Sequence, residues 1–280
     1  MEMSHTATAT APMPTPGAPM LAPGALRDKV AIVTGGGTGL GKAMAGNFAT
    51  LGAKVVIASR KAEVLQAAAE ELSGDGRVVV PFVMDVRNQA SIASLFEFCV
   101  GRFGSVDILV NNAAGNFIVE SAKMSPNAWN TVIDIVLNGT WFCTQAFGRH
   151  VIERVGHGVV LNIVATYAMT GNPMTVHSAA AKAGVLALTK SLASEWGKHG
   201  IRLNAIAPGP IAETGAAGRL WADPKVERRL LDNISVGRLG NPQEVADWAA
   251  YLGSDYSGFV SGACLVQDGG LWLRRPTLFD

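Results

Sequence analysis

From Leu26 onward, short β-branched apolar runs alternate with longer stretches in which apolar and polar residues interleave at helical spacing. The runs Val30–Thr34, Val55–Arg60, Val78–Val83, Ile108–Asn111, Val159–Val164, Arg202–Ile206 and Ala263–Val266 predict seven strands. Several are continuous rather than alternating, as a parallel sheet covered on both faces requires. Helices are predicted near 39–51, 62–72, 89–103, 126–148, 176–197 and 241–252. The repeated order of strand, helix, strand implies right-handed βαβ units and a single-domain α/β Rossmann fold. Its doubly wound parallel sheet should have about seven strands, with helices on both faces.

Two segments fall outside this rhythm. Residues 1–24 are rich in Ala, Thr, Pro and Met, contain no Lys or Arg, and read as a disordered tail ahead of a domain over 25–280. They lack the basic start and apolar core of a secretory signal and the arginines of a transit peptide. Residues 209–238 carry Gly215, Gly218, Pro224 and Gly237 and read as a mobile substrate lid.

Composition narrows the partners. Only 16% of the 280 residues are charged, against about a quarter in an average soluble domain, and mean hydropathy is +0.25. A disordered chain, a coiled coil and a disulfide scaffold are excluded. The net charge is +1 with the basic residues scattered, which argues against nucleic acid or an anionic membrane surface as partner. No run approaches the ~18 apolar residues of a membrane helix. Cys99, Cys143 and Cys264 are far apart and not in metal-ligand spacing, so buried thiols and no metal site are expected.

The first strand ends in Thr34-Gly35-Gly36-Gly37-Thr38-Gly39-Leu40-Gly41 and a helix follows at once. Glycines there permit a sharp turn, close approach of a pyrophosphate and tight helix packing, and the helix N-terminus offers N–H groups and a positive dipole end. A dinucleotide is therefore the expected ligand. At the end of the second strand stand Ser59 and Arg60, where an NAD-binding chain carries an acidic residue; the guanidinium suits a 2′-phosphate, so NADP(H) is expected. Asp85 closes the third strand, either toward the adenine amino group or as a turn aspartate. Asn111 and Asn112 end the fourth, either touching cofactor or satisfying backbone groups.

Together, the TGxxxGxG form of Thr34–Gly41, the NNAAG of Asn111–Gly115, Asn138, Lys182 and Pro208-Gly209 resemble the short-chain dehydrogenase/reductases over about 250 residues. The usual tyrosine four residues before the lysine is here Ser178, and the usual serine thirteen before that is Ala165. At these positions the chain is similar to the NADPH-dependent 2,4-dienoyl-CoA reductase branch, through NNAAGNF, SPNAW, the AKAG after Ser178, and Pro208–Ile211. The resemblance implies Asn116, Tyr167, Ser178 and Lys182 as catalytic residues. Tyr167 and Asn116 would stabilise a dienolate in the reduction of 2,4-dienoyl-CoA to 3-enoyl-CoA, during β-oxidation of unsaturated fatty acids. Either water or Tyr167 would supply the final proton.

The resemblance further implies cofactor contacts from Gly35, Gly36, Gly37, Thr38, Gly39, Leu40, Ser59, Arg60, Asp85, Lys182, Pro208, Gly209, Pro210 and Ile211. Coenzyme A contacts are implied for Arg87, Phe117, Ser125 and Arg219. Ser125 before Pro126 also fits a helix N-cap, Phe117 a core position and Arg219 a solvated one. A homotetramer paired through the long helices is implied. The expected location is the bacterial cytoplasm, with the mitochondrial matrix as alternative. Two other functions stay open: a short-chain oxidoreductase acting on 2-enoyl-CoA, 3-oxoacyl or carbonyl substrates, and a non-catalytic NADP(H) sensor.

Overall fold

The computed structural model describes residues 19–214 and 224–273. Seven parallel strands form one sheet in the order β3-β2-β1-β4-β5-β6-β7. They are β1 (Val30–Thr34), β2 (Lys54–Ser59), β3 (Val78–Val83), β4 (Ile108–Asn111), β5 (Gly158–Ile163), β6 (Ile201–Pro208) and β7 (Cys264–Gln267). The helices between them are α1 (Gly39–Thr50), α2 (Ala62–Leu72), α3 (Gln89–Phe103), α4 (Pro126–Ile133), α5 (Gly139–Glu153), the short α6 (Tyr167–Thr170), α7 (Val176–Trp196), α8 (Pro224–Asn233) and α9 (Pro242–Gly253).

Alternate residues of one strand feed two cores, which is why its sequence is continuously apolar. Ala31 and Val33 pack with Met44, Phe48, Val245 and Ala249 of α1 and α9. Ile32 packs on the opposite face with Phe96, Phe147, Leu192 and Trp196 of α3, α5 and α7. Every residue of β1 is buried, as expected of a strand walled by helices on both sides.

The predicted helix over 126–148 runs to Glu153 and contains a π turn at Asp134–Asn138, between α4 and α5. Asn138 Nδ2 donates to Asp134 Oδ1 across that turn at 2.8 Å. Val86 lies against it so closely that a Cβ on Gly139 would stand 2.7 Å from the valine side chain. Single π turns inside helices are often found at functional sites.

The tail boundary moves upstream of the expected residue 24. Leu21 packs on the first core and the Met20 amide donates to Asp247 Oδ1 at 3.4 Å, so residues 19–24 are tied to the domain rather than unstructured. Residues 1–18 lie outside the described residues, as does the stretch 215–223 of the expected lid; the rest of that segment includes α8.

One threonine joins the central strands. Thr34 Oγ1 donates to Val110 O at 3.2 Å and accepts from the amides of Asn112 and Ala113, each at 3.0 Å. Thr34→Val keeps the shape and strands those groups, so denaturant unfolding should show a loss of about 2–3 kcal/mol. An unchanged midpoint would mean that water replaces the hydroxyl.

Candidate active site

The strand order reverses between β1 and β4, and doubly wound sheets bind ligands in the crevice outside the carboxyl ends of such a pair. Thr34 ends β1 there, and the glycine loop follows with Gly35 at φ +65° and Gly39 at φ +51°. A Cβ on Gly41 would stand 2.3 Å from Gly35 O, so that glycine is sterically required. Thr38 precedes α1 without capping it through its side chain, which leaves first-turn N–H groups for an anion. The loop thus fits a dinucleotide pyrophosphate.

The adjacent asparagines divide their work. Asn112 Nδ2 donates to Thr34 O and Gly35 O at 3.0 and 3.2 Å, holding the loop. Asn111 is buried and donates to Thr144 Oγ1 and Asn162 Oδ1, both at 2.9 Å. Asn162 in turn donates to Thr189 at 2.9 Å. Asn111 therefore belongs to a polar ladder through the centre of the sheet.

At the adenosine end, Ser59 finishes β2 and Arg60 is exposed beyond it. Asp85 and Arg87 bond to each other, with Arg87 Nη2 donating to Asp85 Oδ2 at 2.6 Å and Nε donating to Oδ1 at 3.0 Å. That bond chiefly holds the Asp85 carboxyl below its ordinary pKa, with a smaller contribution from the Arg60 charge. Asp85, expected at the adenine, and Arg87, expected on coenzyme A, are thus each other's partners.

Tyr167 opens α6 just beyond β5, and Ser178 sits in the first turn of α7. The Tyr167 hydroxyl and Ser178 Oγ share a hydrogen bond of 3.1 Å. One turn further along α7, Lys182 Nζ donates to Ile163 O at the end of β5. Burial raises the Tyr167 pKa above its ordinary value, so the phenol stays protonated at neutral pH. Burial pushes the Lys182 ammonium down to about 8. A protonated phenol and a nearby titratable cation make a site suited to stabilising negative charge on a substrate oxygen.

Asn116 lies exposed in the loop after β4, and its Oδ1 accepts from the Phe117 amide at 2.9 Å. That bond occupies the side-chain carbonyl on the neighbouring backbone amide, and the Nδ2 group is the one suited to donate to an incoming acceptor. Ser125 Oγ accepts from Ala128 N at 3.2 Å and caps α4, so of its two expected roles the structural one is occupied. Phe117 is partly exposed, its ring 4.4 Å from that of His177. Arg219 lies outside the described residues.

The segment Pro208–Ile211 passes beside β7. Gly209 N donates to Gln267 O at 2.9 Å, and a Cβ on Gly209 would lie 2.4 Å from that of Asp268. Ile211 is buried and bridges to Gly240. The Cys99 and Cys143 thiols are pushed up to about 12 by burial and are unsuited to nucleophilic catalysis. Among the described residues no cluster of His, Cys, Asp or Glu could hold a metal ion, and no helix is long and apolar enough to cross a membrane.

A parallel sheet with a glycine loop at its switch point, a hydrogen-bonded tyrosine and serine, and a buried lysine one turn along the helix from that serine defines a nicotinamide-dependent oxidoreductase of the Rossmann class. The family model described as enoyl-(acyl carrier protein) reductase matches residues 35–272, and the chain belongs to the short-chain dehydrogenase/reductase family. It is 48% identical over 250 residues to a probable 2,4-dienoyl-CoA reductase [(2E)-enoyl-CoA-producing] of Bacillus subtilis (strain 168), covering 89% of this chain and 98% of that one. It is 46% identical over 256 residues to the probable 2,4-dienoyl-CoA reductase 3 [(3E)-enoyl-CoA-producing] of Caenorhabditis elegans, covering 90% and 83%. Among solved structures, a short chain dehydrogenase from Bacillus anthracis str. 'Ames Ancestor' superposes with a TM-score of 0.83 at 46% identity. That match covers 90% of this chain and 100% of the other.

Two features escaped the reading from sequence. Thr34 carried a signal, being the threonine of the glycine motif, but its role as a three-way hub depends on β4 lying alongside. His177 stands beside Ser178, and nothing in the local sequence marks that histidine as buried without hydrogen-bond partners.

Proposed function

We propose that this chain is an NADPH-dependent 2,4-dienoyl-CoA reductase serving β-oxidation of unsaturated fatty acids. The observation that carries the proposal is the Tyr167–Ser178 hydrogen bond, with Lys182 one turn further along α7 and Ala165 in place of a hydroxyl residue. Serine replaces the phenol beside the lysine, and an aliphatic hydroxyl is a poor proton donor for ordinary ketone reduction. The displaced Tyr167 instead presents a phenol suited to a thioester oxygen. The relatives' names support the same substrate class.

When bound, NADPH would supply a hydride to the δ-carbon of the dienoyl group. Gly35, Gly36, Gly37, Thr38, Gly39 and Leu40 would hold its pyrophosphate, Ser59 and Arg60 its 2′-phosphate, Asp85 its adenine, and Pro208, Gly209, Pro210 and Ile211 its nicotinamide end. Lys182 would bind the ribose and raise the local positive potential. Tyr167 and the Asn116 amide donate to the thioester oxygen as it gains charge, and Ser178 orients the phenol. Protonation at the α-carbon gives the 3-enoyl product we propose; protonation at the γ-carbon would give the 2-enoyl ester.

Phe117, Ile118, Met169, Met174 and Val176 are exposed apolar side chains on the two loops and helices around Tyr167 and Ser178, a surface suited to a fatty acyl chain. The two loops are joined where Val119 N donates to Met174 O at 3.0 Å. Coenzyme A would be held by Phe117, Ser125, Arg219 and Arg87, the last released in part from Asp85, with residues 209–238 closing over it. We place the enzyme as a homotetramer in the bacterial cytoplasm, or alternatively the mitochondrial matrix.

The test is turnover with NADPH or NADH against a 2,4-dienoyl-CoA, a 2-enoyl-CoA and a 3-oxoacyl-CoA, with mass and NMR analysis of the product. NADPH-dependent formation of 3-enoyl-CoA is expected. Reduction of only the 3-oxo ester would overturn the proposal; reduction of the 2-enoyl ester would favour the activity named by the matching family model.

A further inference from the structure

His177, the second residue of α7, is fully buried. Neither Nδ1 nor Nε2 has a hydrogen-bond partner. A neutral imidazole carries one donor and one acceptor, and leaving both unmet in the interior opposes folding. Burial lowers its pKa, so the ring does not offset that cost by ionising. The Phe117 ring lies over it, centroids 4.4 Å apart and planes 39° from parallel, and is itself 37% exposed. The chain neighbours are the residues of the reaction: Ser178 follows His177 and bonds Tyr167, and Asn116 precedes Phe117.

An apolar side chain of similar size would fill this position without stranded nitrogens. Where a fold keeps a poorly satisfied polar group next to its reacting residues, the partner is expected to arrive with the ligand. We propose that His177 is a substrate-binding residue covered by Phe117: as the acyl thioester enters, Phe117 turns aside and the imidazole N–H donates to a carbonyl of the acyl-pantetheine arm. This rests on the reading that the site takes an acyl-CoA. Phe117 is then a gate as well as a contact, its outward turn exposing the donor and laying its ring along the chain.

The experiment compares wild type with His177→Phe and His177→Gln. It reads KM for a 2,4-dienoyl-CoA and for NADPH, Kd for a saturated acyl-CoA by calorimetry, and Tm without ligand. His177→Phe should raise Tm, weaken acyl-CoA KM and Kd by about tenfold, the loss of one hydrogen bond, and leave NADPH binding unchanged. His177→Gln, which retains an N–H, should recover part of the affinity; His177→Leu, which has no donor, takes the place of the phenylalanine variant if that one does not fold. Unchanged acyl-CoA affinity in the donor-free variant that folds would overturn the assignment, with the histidine then satisfied by a buried water. Wild type that binds the saturated ester but reduces no dienoyl-CoA would sink the functional reading while leaving this proposal standing. Wild type that binds no acyl-CoA would sink both.

Discussion

Lys182→Met should give a protein that is more stable at neutral pH without ligand and nearly inactive. The ammonium is buried, and its pKa falls from the ordinary 10.5 to about 8. The unfolded chain therefore holds a proton between those values that the folded chain does not. Stability of the wild type rises with pH across that window and is lowest, by roughly 3 kcal/mol, below pH 8. The methionine variant lacks this slope. Its gain at pH 7 is reduced by about 1 kcal/mol because Ile163 O loses its donor. Urea unfolding at pH 7 and pH 10 should show the two proteins converging as pH rises; parallel curves would mean that the lysine is not desolvated. Turnover should fall by roughly 10²–10³-fold, since the fixed positive charge behind the site is gone. In the wild type, kcat/KM should decline as pH passes above about 8, because that ratio reports the free enzyme.

Tyr167→Phe should cost about 10²-fold in kcat/KM, the usual consequence of removing one donor to a developing oxyanion. The loss should fall mainly on kcat, because the donor bonds more strongly as charge builds on the oxygen. It should be constant from pH 6 to pH 9, because burial keeps the phenol protonated throughout. Ser178→Ala leaves the phenol in place and removes only its 3.1 Å partner, so a smaller loss of roughly tenfold is expected. Steady-state NADPH oxidation with a dienoyl-CoA measures both. If Tyr167→Phe retained full activity, Asn116 and Lys182 would have to carry the thioester charge alone.

The seven strands were legible because a parallel strand buried on both faces must be continuously apolar. The observed limits differ from the predicted ones by two residues at most. The glycine loop was legible for a local reason as well: a sharp turn into a helix demands glycine whatever surrounds it. The serine at 178 could be read from its four-residue spacing to Lys182 along α7, since a helix fixes which side chains share a face, whereas Tyr167, on the separate α6, was legible only through the resemblance. The π turn at Asp134–Asn138 could not be read, because the spacing of apolar residues over 126–148 reads as one unbroken helix.

By itself, then, the sequence determined the order of elements and the glycine loop, both set by periodicity and backbone sterics within a few residues, while the switch point between β1 and β4 came from the sheet order. Only the tertiary structure decided where polar side chains spend their hydrogen bonds. Asn111 turned to the interior ladder while Asn112 took the loop, although the two are adjacent and identical. Asp85 and Arg87, assigned to different ligands, found each other. Ser125 settled on the end of its own helix, and His177 was enclosed with nothing to bond. Such outcomes turn on angstrom-scale distances between segments far apart in the chain, and hydrogen-bonding capacity carries no mark in sequence of which partner will stand within reach.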